Sequence, residues 1–541
     1  MSGSRREFLH AMLGSAAASA LGCKRSRAVP GRLVGGAEGV GHLLRDPPRL
    51  GDVSRVEDVP VVIVGGGPAG LSAAWRLRGL GAPPAVVLEL EPRLGGTSAY
   101  GEEGVVAHPW GAHYLPAPRG DNAPLVRLLS ELGAVEGTGE DGEPVFQEEM
   151  LVRDPEERLF EAGAWHEGLF PAGLATPAER AELARFQAIV GELAETRDGA
   201  GRRAFDSPLS RSSTDPSLTK LDAITMDAWL RSNGFVTPRL RWYVDYACRD
   251  DYGLRVEHTS AWAGLFYFAS RVPKRGVDAA PLLSWPSGNG RLVEHLSRGL
   301  GDARRSRLVV RVTPTDDGAS VLTLDPASRR VELLRAKQVI VAVPRFVAAR
   351  IVEGLARDRG DALAAFQTGA WMVANVHLRA PPRGRGTPLA WDNVLRESPS
   401  LGYVVATHQT HVDDGPTVLT YYLPFTDEDP RAGRARLLGS SHAELADLCL
   451  AELGPAHLRL EPDVERVDVF RWGHGMVQPR PGSLFSGARE RAAAPEGAVR
   501  FAHTDMSGVA LFEEAFFHGV RAAEQAFAAL RPDAVFERWY A

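Results

Sequence analysis

Three glycines, Gly65, Gly67 and Gly70, stand in a G-x-G-x-x-G spacing, and an acid, Glu89, follows nineteen residues after the last of them. Those residue types at that spacing can hold a dinucleotide. The first glycine permits a tight turn, the second lets a pyrophosphate approach the backbone, and the third lets a helix pack closely on a strand. Free N–H groups at the start of a helix attract phosphate oxygens. A carboxylate placed like Glu89 accepts hydrogen bonds from a ribose diol. Glycine-rich structural turns share the spacing, so the flanking sequence decides its meaning.

The flanks supply the elements that such a site needs. Val61-Val62-Ile63-Val64 is an unbroken β-branched run, as in a parallel strand covered on both faces. Leu71, Ala74 and Leu77 mark the helix after the glycines, and Ala85 to Leu88 reads as a second strand that ends at Glu89. Strand, turn, helix, strand and acid come in the order of a dinucleotide-binding unit.

The rest of the chain sets bounds. Its 541 residues call for two or three structural units. With 44% hydrophobic and 24% charged residues, it is neither fibrous nor wholly disordered. Basic residues number 62 against 68 acidic ones, a net charge of −6, so nothing points to nucleic acid as a partner. Lysine occurs only at Lys24, Lys220, Lys274 and Lys337. The three cysteines, Cys23, Cys248 and Cys449, make neither a disulfide framework nor a zinc spacing. No G-x-S-x-G, H-E-x-x-H or Walker A motif is present.

The first thirty residues read as an address. Arg5-Arg6 precedes Phe8 and an uncharged stretch from Ala11 to Gly22, the layout of a twin-arginine signal peptide. It predicts export of the folded protein, to the periplasm or to a membrane as a lipoprotein. Ala20-Leu21-Gly22-Cys23 resembles a lipobox with Ala20 in the usual Leu place, which makes Cys23 a candidate lipid anchor. An N-terminal amphipathic helix is the plainer alternative. Residues 31–57 lack periodicity and read as a linker.

After Glu89 the chain runs Leu90-Glu91-Pro92-Arg93-Leu94-Gly95-Gly96. This resembles the E-x-x-x-R-x-G-G run of the flavin-containing amine oxidoreductase superfamily, which includes monoamine oxidases, protoporphyrinogen oxidases and phytoene desaturases. Three later stretches extend the resemblance: Trp285 to Gly290, Val339 to Pro344, and Phe501 to Asp505 with the helix from Glu513. The resemblance implies FAD as cofactor and an α/β fold. In that fold a discontinuous Rossmann-like FAD-binding domain (58–115, 280–345 and 495–530) carries an inserted α+β substrate domain (116–279 and 346–494). It also implies roles. Arg93 lies near the phosphates and Gly95 and Gly96 lie under the flavin. Trp110 and Gly111 touch the isoalloxazine, although the Asp usual in that element is missing. Val310 clasps adenine through its backbone, Asp505 meets the ribityl or pyrophosphate, and the helix starting near Glu513 aims its N-terminus at the flavin.

Arg471-Trp472-Gly473-His474 and the following prolines resemble a stretch that approaches the flavin in this superfamily, so Trp472 and His474 are the candidate catalytic residues. A histidine can move protons near neutral pH; a histidine hydrogen-bonded in a domain interface is the alternative. Thr176-Pro177-Ala178-Glu179 predicts a capped helix, and Thr225 a second. Aromatic residues crowd between Trp242 and Phe268, as core or as an apolar substrate channel. Runs at 373–378 and 403–423 predict antiparallel strands, and Asp427-Glu428-Asp429 a solvated loop.

These readings predict an FAD-dependent oxidoreductase that removes a hydride from a small-molecule substrate. In the amine oxidases of the superfamily a tyrosine stands where this chain has Leu511, and a lysine is expected within Ala370–Asn375, where none occurs. The prediction is therefore a dehydrogenase or desaturase with a bulky or apolar substrate, passing electrons to a quinone or other acceptor. An FAD-dependent amine oxidase, an NAD dehydrogenase and a flavin-binding protein without turnover are the alternatives.

Overall fold

A computed structural model describes residues 29–35, 37–46, 49–272, 279–426 and 429–540. The stretch read as a signal peptide, Cys23 and the Asp427-Glu428 pair lie outside the described residues.

Two sheets organise the chain. In the first, strand Val53–Val64 runs parallel between Ala85–Leu88 and Val331–Val341, and Asp302–Arg304 extends the parallel side. The long strand Val331–Val341 changes partner midway. Its first half pairs antiparallel with Gly318–Leu324, and its last three residues pair parallel with Val499–Phe501. Leu308–Thr315 closes the antiparallel edge. Val61, Val62 and Ile63 are fully buried because helices cover both faces. One face carries helix Pro68–Gly79 and the C-terminal helix Phe512–Leu530. The other carries helices Arg345–Ile351 and Leu355–Ala364. A Cβ on Gly519 would overlap the Ala69 carbonyl, so glycine is what lets the C-terminal helix close on the glycine-loop helix.

The second sheet has eight strands, from Leu33–Val34 at one edge to Ala164–Glu167 at the other. Its central strand, Thr368–Leu378, is buried throughout, between antiparallel Val464–Val477 and Thr417–Pro424. Alternate residues serve two cores. Ala370, Met372, Ala374 and Val376 pack towards helix His442–Leu453, whereas Trp371 and Val373 face the side where Trp110 and Trp391 lie. The helix Pro177–Glu195 begins with the predicted Thr176–Glu179 capping box, and Thr225 caps Met226–Ser232. With Pro238–Tyr252 and Ala261–Ala269 they enclose a third, aromatic core.

The stretch 31–57 is more than a linker. Leu33–Val34 pairs with Val469–Phe470, the Ala37 N–H donates to Glu91 at 3.0 Å, Glu38 pairs with Arg471 at 2.9 Å, and Val53 already begins the first strand. The segment thus straps the second sheet to the end of the first. Helix Ala123–Leu132 packs on Leu71, Trp75 and Leu292, on the nucleotide side of the molecule. Among the described residues no helix is long and apolar enough to cross a membrane.

Candidate active site

The glycine loop is a cradle of backbone. Gly65 has φ +107° and donates to the Leu88 carbonyl at 2.8 Å. A Cβ on Gly70 would overlap the Gly65 carbonyl oxygen, which is the close helix–strand approach expected of the third glycine. Gly67 caps the helix without any side-chain hydrogen bond, and a Cβ there would meet only Gly96, at 3.7 Å. The space in front of the helix N-terminus is therefore open. Gly95 (φ +125°) and Gly96 (φ +52°) form its far wall in conformations that favour glycine.

The carboxylate of Glu89 is fixed at the end of the second strand. It accepts the Gly66 N–H at 2.6 Å and the Glu91 N–H at 2.8 Å, and burial pushes its pKa above the ordinary value. Arg93 lies exposed, with a long contact to the Tyr100 carbonyl and Glu103 nearby. Val310 sits at a register shift between Val309 and Arg311, so it has no partner in the ladder.

Trp110 is buried, and its carbonyl accepts the Trp472 indole N–H at 2.5 Å. Ala112 donates to the Thr97 carbonyl, and a Cβ on Gly111 would overlap that same oxygen, so this segment lies directly against the Gly95–Gly96 turn. Asp505 accepts the Arg345 backbone N–H at 2.7 Å and lies 3.1 Å from His503. Burial raises its pKa, but His503 and Arg345 outweigh burial and hold it below the usual range. Glu513 sits in the first turn of a helix whose N-cap, Leu511, offers no capping side chain; burial pushes its carboxyl up to about 7.

Trp472 stacks on Phe470 at 4.0 Å. His474 Nδ1 accepts from the Thr368 hydroxyl at 2.7 Å and from Arg434 at 3.1 Å, and its ring stacks on Phe346 at 4.0 Å. Burial, then Arg434, lowers its pKa to about 3, so the ring is neutral. These surroundings suit a packed, oriented ring better than a proton shuttle near neutral pH.

Beside the Trp110–Gly111 segment lies a cavity of about 700 Å³. Tyr114, Tyr243, Tyr246, Tyr267, Phe268 and Trp391 give it aromatic walls, so part of the aromatic crowd lines a cavity, while Tyr252, Trp262 and Phe266 belong to the core. The cavity is not apolar. Glu156, Glu157, Asp250 and Asp392 also line it. The Tyr114 hydroxyl lies 3.1 Å from Asp250 and the Tyr246 hydroxyl 3.1 Å from Asp392; Glu157 accepts the Leu169 N–H at 3.2 Å. Burial and then Asp251 push Asp250 up to about 7. Burial and then Glu156 do the same to Glu157, and burial, Asp250 and Glu157 raise Asp392 further. Arg271 is the only arginine or lysine among the lining residues described, and both oxygens of Asp251 already hold it, at 2.7 and 2.8 Å.

Residues 68–526 match the profile of the flavin-containing amine oxidoreductase family.

The chain belongs to that family.

As a member of it, the protein is an FAD-dependent oxidoreductase. Solved structures with a similar fold include putrescine oxidase, with 20% identity, 87% of this chain and 100% of that chain covered, and a TM-score of 0.65. Cyclohexylamine oxidase from Brevibacterium oxydans IH-35A has 19% identity, 88% and 99% coverage, and a TM-score of 0.62. A fatty acid isomerase from P. acnes that produces CLA has 16% identity, 86% and 98% coverage, and a TM-score of 0.60. At these identities the likeness is one of fold. No curated protein sequence matches.

The residues present fit the family's cofactor. The open cradle at Gly67 and Gly96, the uncapped helix starts at Gly67 and Leu511, and the pinned Glu89 carboxylate are what a dinucleotide requires. Sequence reasoning missed Arg345, whose buried guanidinium lies 4.2 Å over the Phe501 ring with no hydrogen-bond partner for its three nitrogens. It also missed Tyr114, Glu157, Asp250, Trp391 and Asp392. Asp250 and Asp251 stood inside the aromatic run, but nothing in the sequence says that only Asp251 meets an arginine.

Proposed function

We propose that this oxidoreductase binds a small organic amine as its cation and takes a hydride from the carbon next to the nitrogen once that nitrogen has lost its proton. The observation that carries the reading is the cavity itself: three half-buried carboxylates between aromatic faces, with Arg271, the one arginine among the lining residues described, already paired. Buried acids without a counter-charge are costly, and a bound cation relieves that cost. Aromatic faces attract cations as well. This replaces the apolar substrate expected from the sequence. The names of two fold neighbours, putrescine oxidase and cyclohexylamine oxidase, support an amine.

Bound FAD supplies the two-electron acceptor for such a carbon. The chain's own contribution is placement. Glu157, Asp250 and Asp392 bind the charge, and Tyr114, Tyr246 and Trp391 confine the substrate. The lysine-free strand Thr368–Leu378 further supports an acceptor other than oxygen, because a positive group is what assists reduction of oxygen.

Anaerobic mixing of the holoprotein with 1,5-diaminopentane should bleach the flavin, whereas 1,5-pentanediol should not. Reduced protein should then reoxidise faster with a quinone than with air-saturated buffer. Bleaching by the diol alone would refute the cation, and fast reoxidation by oxygen would refute the acceptor. Export through Arg5-Arg6 is part of the same proposal. Changing both to lysine should leave the protein in the cytoplasm, and undiminished export would remove that part.

A further inference from the structure

An ammonium nitrogen has no lone pair with which to expel a hydride from the neighbouring carbon. A cation-binding cavity that oxidises amines must therefore also accept a proton. Three half-buried acids face the cavity, and their surroundings differ. Asp392 is tied to Tyr246, and Glu157 to a backbone N–H. Asp250 lies 3.1 Å from the hydroxyl of Tyr114, which is equally close to Asp251; Tyr114 is three residues beyond Gly111 on the segment that lies against the Gly95–Gly96 turn, and of the two aspartates only Asp250 lines the cavity. Next to Tyr114, His113 stacks on Tyr422 at 4.6 Å, and the Tyr422 hydroxyl donates to the Gly111 carbonyl at 2.9 Å. Asp250 is thus the acid of the cavity joined to the family's flavin-facing segment.

Resting on the cation reading above, we infer that Asp250 accepts the substrate's ammonium proton, with Tyr114 holding its carboxylate in place.

The groups around Asp250 leave it free to do so. On its own helix, Asp251 is engaged by Arg271, and Arg249 turns to Asp245 and the Pro399 carbonyl. Across the cavity stand Glu157, Asp392 and Tyr246, and beyond Arg271 lie Tyr267 and Glu513. Among the described residues the cations near Asp250 are Arg271 and Arg249, each paired to another aspartate; they pull the Asp250 carboxyl down, but burial and Asp251 together outweigh them. With a carboxyl pushed up to about 7, Asp250 is poised near neutrality, where proton transfer is most useful. The balance is simple. One N–H bond of the ammonium breaks and an O–H bond forms on Asp250, which leaves a neutral amine with its lone pair. The lone pair makes the adjacent C–H a hydride donor, for which bound FAD would be the two-electron acceptor, and the proton on Asp250 returns to water.

Two measurements test this on the holoprotein. The first is independent of turnover. Binding benzyltrimethylammonium, a cation with no N–H, should release protons from the wild type near pH 7, counted by calorimetry in buffers of different ionisation enthalpy. Asp250→Asn should release about half a proton fewer, the share that Asp250 holds at that pH. The second is anaerobic flavin reduction by saturating 1,5-diaminopentane. Asp250→Asn should slow it about 100-fold or more. Its rate should then climb as pH rises towards the amine's own pKa, while Asp250→Glu keeps part of the wild-type pH profile. Unchanged proton release, or an Asp250→Asn profile parallel to wild type, would overturn the role of Asp250 while leaving the cation site standing. Failure of the wild type to bind the cation at all would overturn both.

Discussion

The nucleotide cradle and the substrate cavity sit on either side of the Trp110–Tyr114 segment and are built differently. The cradle is made of backbone. Its working parts are N–H groups, glycines that keep the approach clear, and one carboxylate pinned by two of those N–H groups. The cavity is made of side chains from stretches far apart in the chain, among them Tyr114, Glu157, Phe186, Tyr243 to Arg271, and Trp391-Asp392. A backbone site tolerates few residue types at fixed spacing, whereas a side-chain site depends on which strands the fold brings together. Here a parallel pairing of Asp392–Leu395 with Glu157–Glu161 sets Asp392 opposite Glu157.

That contrast can be broken at graded points. The largest effect is expected at Gly67. Because a Cβ there meets open space in the protein itself, Gly67→Val should leave the thermal transition of the flavin-free protein nearly unchanged. It should reduce flavin retention on gel filtration by about 100-fold or more, by filling the place of the pyrophosphate. Retained flavin would show that the cradle is not where the nucleotide lies. Glu89→Ala comes next. It removes charge-assisted hydrogen bonds worth roughly 1.5–3 kcal/mol each, so FAD affinity should fall about 10- to 150-fold in a dialysis titration.

The cavity should respond the opposite way. Asp392→Asn should keep full flavin content yet weaken binding of benzyltrimethylammonium about 10-fold, measured by calorimetry; a flavin-poor variant would mean that cavity and cradle are not separable. The smallest effect is on stability. The raised carboxyl of Glu157 makes the folded state hold a proton that the unfolded state gives up near pH 4. Its contribution is therefore lost as pH rises from about 4 to about 7. Glu157→Gln should raise Tm by a few degrees at pH 8 and leave it unchanged at pH 4, with calorimetric scans at both values as the check.

Legibility in the sequence follows the same division. The glycine spacing, Glu89 and the β-branched strands were readable because each element is contiguous and its residues are nearly dictated by backbone geometry. The capping box at Thr176 and the N-cap at Thr225 were readable for the same reason. The strap at 31–57 was not, because two strand residues and one helical turn give no periodicity, and their partners, Val469 and Glu91, are far away in sequence or reached only through a backbone N–H. Of the central strand Thr368–Leu378, the part from Val373 onward was read as an antiparallel strand and residues 368–372 were not. The aromatic run from Trp242 to Phe268 was read as core or as an apolar channel. It is divided between core and cavity, and the acids that give the cavity its charge, Glu157 and Asp392, come from strands with no motif.

The most direct test of the charged cavity is the affinity of the holoprotein for benzyltrimethylammonium at pH 6 and at pH 8. Asp250 and Glu157, with carboxyls near 7, are mostly neutral at the lower pH and mostly ionised at the higher. Cation binding should therefore be tighter at pH 8, by about tenfold or more. Equal affinity at the two values, or tighter binding at pH 6, would contradict a site built from those carboxylates.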